Sequence, residues 1–539
     1  MKQPSSARLV RAVGLVCFLT LGIALLGYVR EGAFAARLGT SAEMDAYVAA
    51  FFMPNVLYLV VITGALSPVF IPIFMEYAQR DKEEAWRVFS SVLNLVALTL
   101  VVVTGIGIAT ARWWMPTIFS GFSPQTLGLS LRLTYIIFPT IVFLGLSGLV
   151  GALLNSLNHF LWPAASPAAY SLLVIPVLLL ARTERAIYIV AAATALGLAL
   201  QLFIQVPAVR RLGACYRLGF DFRHPAVLKL AKLGVPLLFY LLVAYASVVV
   251  ERNLASRLWS GAVSIVNYAT KLFVLPTNLL AAPLSIVFYP TFAREATRVN
   301  CGELREEIVK ASRLIIFIVL PAAVWMMIHA RPVTQLLYER GQFHRGDSLA
   351  TAAFLTLYCL GSLPTALATI LLRGFYSVQD TLTPLGIETA SFVFYFVAAP
   401  PLTRLYGLQG LALARALSFL LVTVALVIVL EKRMGLFARA GWLVSHFGKV
   451  LAASLASGLV TWLEFGFFEA SFDRQHLLGR ALIVGLLAVS GGIVYLALSY
   501  SMRVEEARSV IDRFLTSLGK VREAETHPVK GYATGEKLP

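Results

Sequence analysis

Charged side chains are rare inside the long apolar runs of this chain, and the few found there are the residues able to do chemistry. Arg30 and Glu31 stand together near the end of the first run and Asp45 opens the second, which also carries Asn55 and Tyr58. Glu251 and Arg252 close the seventh run, Lys271 lies inside the eighth, Glu388 near the start of the eleventh and Arg415 inside the twelfth. Arg132 sits early in the fourth. A charge in hydrocarbon costs several kcal/mol unless it is paired or hydrated, so each marks an ion pair, a watery path or a ligand. Arg132 and Arg415 lie close enough to run ends to reach the interface or to pair with a local charge. Lys271 has roughly ten apolar or small neighbours on each side, and an ammonium held there suits an anionic ligand such as a phosphate.

Other chemistries lack their motifs. The sequence has no phosphate-binding GxxxxGK[ST] loop, no GxSxG nucleophile elbow, no HExxH and no GxGxxG followed by a ribose-binding acid. Neither an enzyme nor a self-contained ATP-driven pump is expected. Cys17, Cys215, Cys301 and Cys359 are far apart and form no CxxC or Cys/His ligand spacing, so no metal site, disulfide framework or other cofactor is expected.

The elements that must position these residues are transmembrane helices. The 539 residues are 59% apolar and 14% charged, against about a quarter charged in soluble domains. Apolar runs long enough for the hydrocarbon core recur from end to end, and in hydrocarbon such runs must satisfy their own backbone as helices. About fourteen spans are expected, at roughly 10–34, 46–75, 87–110, 128–155, 163–181, 186–208, 233–251, 261–291, 311–330, 349–375, 384–403, 408–431, 444–466 and 479–501. The first is too long for a cleaved signal and runs straight into Arg30 and Glu31.

The net charge of +17 is distributed as membrane topology. With the N-terminus on one side, about 29 of the Lys and Arg fall on that side and about 12 on the other, which makes both termini cytoplasmic. The surplus contacts anionic lipid rather than nucleic acid.

The chain also echoes itself. Ala36-Arg37-Leu38, Pro54-Asn55 and Val69 to Phe74 (VFIPIF) return in order as Ser256-Arg257-Leu258, Pro276-Thr277-Asn278 and Val287 to Phe292 (VFYPTF). Asn155-Ser156-Leu157-Asn158 returns as Tyr376-Ser377-Val378-Gln379. Six spans per copy make the repeat parallel, with a substrate path between two lobes. The expected fold is thus all-α and polytopic. It has an N-terminal lobe over 1–210, a C-terminal lobe over 211–432 and two appended helices over 433–502. The tail over 503–539 begins amphipathic, with Val504, Val510, Ile511, Phe514, Leu515 and Leu518 on one face against the inner leaflet, and ends disordered. Prolines 54, 68, 72, 276, 283 and 290 fall in spans 2 and 8, where bent helices mark moving parts and binding sites.

Several stretches carry a family resemblance. Gly27-Tyr28-Val29-Arg30-Glu31, Asp45-Ala46-Tyr47, Pro54-Asn55 and Gly64 to Ser67 before Phe70-Ile71-Pro72 resemble the MviN/MurJ family of lipid II flippases. That family lies within the superfamily of multidrug, oligosaccharidyl-lipid and polysaccharide exporters. Gly151 to Asn155, and more specifically Tyr338 to Phe343 (YERGQF) and Gly374 to Pro384 (GFYSVQDTLTP), extend the resemblance through span 11. It implies two six-helix lobes around a cationic cavity, with a groove at spans 13 and 14 for a lipid tail. Two family arginine positions are Ala24 and Tyr58 here, the arginine of span 8 is Lys271, and a glutamate three residues on is Val274. Arg30, Glu31, Asp45 and Asn55 carry over, and Lys271 by charge alone.

The function implied is a flippase of the bacterial inner membrane working by alternating access. It moves an undecaprenyl-pyrophosphate-linked glycan, above all lipid II, from inner to outer leaflet. Arg30 and Lys271 attract pyrophosphate, Asn55 and Tyr58 face substrate, and Glu31 and Asp45 form gate or ion-pair contacts. Expected partners are that substrate, membrane lipids and cell-wall synthesis enzymes, with the chain itself a monomer. Two rivals stay open at this level: an exporter of another lipid-linked glycan, drug or cation in the same superfamily, and a transport-dead scaffold for wall synthesis.

The charge distribution makes a direct prediction. Single cysteines near residues 80, 220, 300 and 440 should react only with permeant thiol reagents in intact cells. Labelling of the 209–232 loop from outside would reverse the topology.

Overall fold

The computed structural model describes residues 6–59, 67–157, 159–181, 185–213, 216, 217, 219, 221, 224–296, 301–434, 440–472 and 475–512. The described chain is helical, as expected. Helices cover the described parts of each expected interval, from Ser6–Leu38 to Leu477–Ser501. Eight of the described helices are long and apolar enough to cross a membrane, or nine if one bent pair counts as a single span. Within the described residues, part of the difference from fourteen has a local cause. Prolines and irregular turns break several runs, and the 382–434 run counts once although it turns at Gly407. Of the second span, the described helices are Ala42–Tyr58 and Ser67–Arg80. The fourth is Pro124–Ile137 and Thr140–Ser156, bent by 42°. The eighth is Ala262–Pro276, a π turn at Thr277–Ala281, and Ala282–Ala296.

Local signals set the helix starts. Ser41, Asp81 and Ser123 each accept a hydrogen bond from a first-turn N–H of the following helix, the N-cap that those residue types supply. Inside the helices many hydroxyls, among them Thr104, Ser130, Thr134 and Ser454, bond the carbonyl four residues back. That pairing lets a polar side chain sit in an apolar run without an orphaned group.

Packing divides the chain into two compact units. One comprises Met1–Leu275, Ala330–Gly361 and Asp380–Val422, and the other Pro276–His329, Ser362–Gln379 and Thr423–Pro539. The first contains an aromatic core in which Phe70, Phe74, Trp86, Phe89 and Phe138 pack with Leu149 and Leu153. In the second, Ile316, Phe317, Leu320 and Val324 pack against Val450, Ala453 and Tyr495. Val504 and Ala507, at the start of the tail, join that core, and Arg313 pairs with Glu505 and Glu506 at 2.9 Å each. Of the proposed amphipathic face, Phe514, Leu515 and Leu518 lie outside the described residues. So does Cys215; Cys359 is buried and forms no disulfide.

The Tyr338–Phe343 motif is a clasp on the first helix. The N–H of Gln342 donates to the carbonyl of Ala36 at 2.9 Å, and the Arg340 guanidinium donates to the carbonyls of Leu336 and Leu337. Gly341 takes a left-handed φ of +59°, and a Cβ there would lie 2.1 Å from the Ala36 carbonyl oxygen. Backbone faces backbone, so no rotamer change relieves the clash. Gly341→Ala should destabilise the protein by about 2 kcal/mol or more, read as a lower Tm in detergent. Gly346→Ala, where nothing lies within 4 Å of the added atom, should leave it unchanged.

Candidate functional site

The first helix, Ser6–Leu38, brings Arg30 and Glu31 into the first unit, where Glu31 is buried. Arg30 Nη2 donates to Glu31 Oε1 at 2.8 Å and Nη1 to Ser171 Oγ at 3.1 Å. Its guanidinium lies 4.1 Å from the centre of the Tyr170 ring, a cation–π geometry that favours the charge where water is scarce. The Tyr170 ring is itself held by Tyr47, whose hydroxyl meets the hydroxyls of Tyr170 at 3.3 Å and Thr194 at 2.8 Å. Four helices thereby fix one arginine.

Lys271 comes from helix Ala262–Pro276. Its Nζ lies 3.9 Å from Glu31 Oε1, beyond hydrogen-bond reach, and 47% of its side chain is exposed where Arg30 keeps 13%. Tyr28 donates to the Lys271 carbonyl at 3.1 Å. Arg30 and Lys271 are two cations against the single carboxylate of Glu31, so the cluster carries a surplus of +1, and the accessible member is Lys271.

Asp45 places that lysine. Its carboxylate accepts from the Gly261 N–H at 2.6 Å, the Ser264 N–H at 2.8 Å and the Ser264 hydroxyl. It therefore caps the N-terminus of the helix that carries Lys271, where the exposed N–H groups and the helix dipole favour an anion. Gly261 has a φ of +100°, and a Cβ there would meet the Thr40 carbonyl oxygen at 2.2 Å. Tyr268, one helical turn before Lys271, donates to the Gly39 carbonyl at 3.2 Å and packs on Tyr338 and Phe343 of the clasp. Arg30, Glu31 and Lys271 are thus brought together, and Asp45 acts on them through the helix it holds.

The other two candidates lie elsewhere on helix Ala42–Tyr58. Asn55 is exposed. Tyr58 lines a cavity of about 240 Å³ with residues of 147–155, 163–167 and 201–205. Of the two expectations for Arg415, local ion pairing holds and reach to the interface does not. It is buried, 3.8 Å from Glu251 and stacked on Tyr395 and Phe419. Tyr358 donates to Glu251 at 3.3 Å, and the neighbouring Arg252 donates to the Val263 carbonyl at 3.1 Å. Ion pairing inside the protein outweighs snorkelling there because Glu251 is itself buried and demands a counter-charge. Arg132 is exposed.

Residue-by-residue reading passed over Tyr28, Tyr170, Ser171 and the glutamines of 201 and 205. The glutamines had a visible signal, two amides at i, i+4 in an apolar helix, which marks a polar stripe facing protein.

Intramembrane helices broken at prolines, around a paired but net cationic cluster, define a multi-span helical membrane transporter rather than an enzyme. Comparison with known proteins makes this particular. The family model described as "Lipid II flippase MurJ" matches residues 34–502, and the chain belongs to that family. The lipid II flippase MurJ of Burkholderia cenocepacia is 29% identical over 496 residues, spanning 90% of this chain and 96% of that protein. The solved structure "Lipid II flippase MurJ, inward closed conformation" aligns with a TM-score of 0.75 at 24% identity, covering 92% of this chain and 99% of that one. A multidrug-resistance MATE transporter in its inward-facing conformation aligns with a TM-score of 0.64 at 14% identity, over 78% and 98% of the two chains. These structural likenesses establish the fold.

The cap predicts a graded response. Asp45→Ala leaves two buried N–H groups and a hydroxyl unpaired and should destabilise by about 3 kcal/mol. Asp45→Asn keeps acceptors and should lose less. Thermal unfolding in detergent or nanodiscs separates the two, and equal Tm values for Asp45→Ala and the wild type would remove Asp45 from this role.

Proposed function

We propose that this chain is a lipid II flippase, carrying an undecaprenyl-pyrophosphate-linked glycan from the inner to the outer leaflet of the bacterial inner membrane. Membership of the family supports the reading, and one observation carries it: the single positive charge left over between Arg30, Glu31 and Lys271. A pyrophosphate drawn through hydrocarbon needs a compensating charge that can be offered and withdrawn. Lys271 suits this because its ammonium is half open, is a point charge with three donors and does not depend on bidentate geometry. Arg30 is committed to Glu31, Ser171 and the Tyr170 ring, and contributes field more than contact. Glu31 stands in for the anion while the site is empty and competes with it when it arrives.

In this reading the lobes are 1–210 and 211–432, access alternates between the two faces, and both termini are cytoplasmic. The chain works as a monomer beside the enzymes of wall synthesis. Family positions held by Ala24 and Tyr58 instead of arginine leave fewer charges on the pyrophosphate, which makes Lys271 the more indispensable.

The test is complementation of a conditional lipid II flippase mutant, with head-group translocation measured in the same cells. Lys271→Ala and Arg30→Ala should each reduce translocation by about tenfold or more, the loss of a charged hydrogen-bonding partner. Lys271→Arg should be tolerated or improved. Wild-type translocation by the double Ala variant would refute the anchor assignment, and rescue of viability without translocation would favour a scaffold.

A further inference from the structure

The cavity beside Tyr58 differs in chemistry from the cationic cluster. It is walled by the helices Thr140–Ser156 and Ala186–Phe203, the segment 163–167, and Tyr58 and Ile71. No charged side chain lines it among the described residues, so it is not built for an anion. Its polar groups are neutral: Tyr58, Ser147, Asn155, Ser166, Gln201 and Gln205. At about 240 Å³ it falls just under the roughly 300–1,000 Å³ of pockets that engulf a drug-sized ligand. That leaves room for one ring-sized group.

Gln205 shows that this polarity is unfinished. The residue is 1% exposed. Its Nε2 donates to Ser147 Oγ at 2.6 Å, Ser166 Oγ at 3.1 Å and the Gln201 carbonyl at 3.2 Å, while its buried Oε1 has no partner. Turning the amide over exchanges the roles and still leaves one polar atom unmatched. A buried amide atom without a partner is costly enough that it is normally satisfied, and here the satisfying group must come from the cavity.

We infer that this cavity is a neutral subsite that receives an amide-bearing group of the glycan head, with the Gln205 side chain as its central hydrogen-bonding partner. The inference rests on the flippase reading. Two parts of the head group carry that chemistry, the acetamido group of a sugar ring and a peptide bond of the stem peptide. Both offer an N–H donor beside a C=O acceptor, which is what one unpaired amide oxygen among hydroxyls and amides recognises. With the topology set by the Lys and Arg distribution, the lining residues lie toward the cytoplasmic ends of their helices, the side from which the head group enters.

Gly151 supplies a mild obstruction. A Cβ there would lie 3.4 Å from Gln205 Oε1 and 3.6 Å from Pro163 Cβ, ordinary contact distances, so Gly151→Val adds methyl groups against the amide without moving backbone. The experiment measures binding to the full chain in nanodiscs. The three probes are lipid II, its disaccharide form lacking the stem peptide, and bare undecaprenyl pyrophosphate. The wild type should prefer a glycan-bearing probe over the bare lipid by about tenfold, the scale of one or two neutral hydrogen bonds. Gly151→Val and Gln205→Leu should reduce that preference to about twofold or less with affinity for the bare lipid kept, and Gly151→Val, which leaves the Gln205 hydrogen bonds in place, should also keep the Tm. Loss of preference with the disaccharide probe assigns the sugar, and loss with lipid II alone assigns the peptide; either supports the subsite. Lys271→Ala should weaken all three probes alike. If both cavity variants keep the wild-type preference, the cavity holds only water and the inference fails, with the flippase reading intact. If no probe binds the wild type, both fall together.

Discussion

One buried carboxylate decides where Lys271 can be. Asp45 sits in the first turn of its own helix, Ala42–Tyr58, and its oxygens close the N-terminus of Ala262–Pro276. Two helix beginnings, more than two hundred residues apart in sequence, therefore share one anion. The arrangement satisfies donors that no water can reach and uses the field of both helix ends. Everything that brings Lys271 beside Glu31 follows from that junction. Gly261 lets the chain pass against Thr40, Tyr268 bonds back to Gly39, and Tyr338 and Phe343 press on Tyr268 from the clasp.

The charges of the first unit fall into two kinds. Glu251, Arg252 and Arg415 are closed in by tyrosines and backbone carbonyls, and such buried pairs hold elements in register more than they stabilise. Around Glu31 the tally is the same, two cations to one carboxylate, but the exposed member of the trio is a lysine. What separates the two clusters is exposure: Arg252 and Arg415 are both buried, while nearly half of the Lys271 side chain is open.

Much of this was legible in the sequence, for physical reasons. Hydrocarbon forbids an unpaired backbone, so the helices follow from apolar length, and it penalises charge, so Arg30, Glu31, Asp45 and Lys271 announced themselves. What those charges touch was not legible. That Asp45 caps a helix depends on Gly261 and Ser264 arriving from far along the chain, and nothing near Asp45 encodes them. Arg415 looked able to reach the interface because helix position along the sequence does not reveal the buried Glu251 beside it. Span count was uncertain for a related reason, since a run that reads as one apolar interval can contain Pro276 and a π turn. The cavity at Tyr58 emerges only once three separate helical segments meet, although the Gln201 and Gln205 pair hinted at it.

The helix bearing Lys271 is fastened at one end and interrupted at the other. Asp45 grips its start, while at its finish Pro276 gives way to the π turn Thr277–Ala281, and the boundary between the two compact units falls at that same point. Between those ends Tyr268 ties it to Gly39 and Tyr28 bonds the Lys271 carbonyl. Lys271 stands nine residues beyond Ala262, about 14 Å along the axis at 1.5 Å per residue. A tilt of about 10° about the gripped end would carry the ammonium roughly 2 Å sideways over that length. That travel would break the 3.1 Å bond from Tyr28 to the Lys271 carbonyl, so the mount holds the lysine in its place beside Glu31.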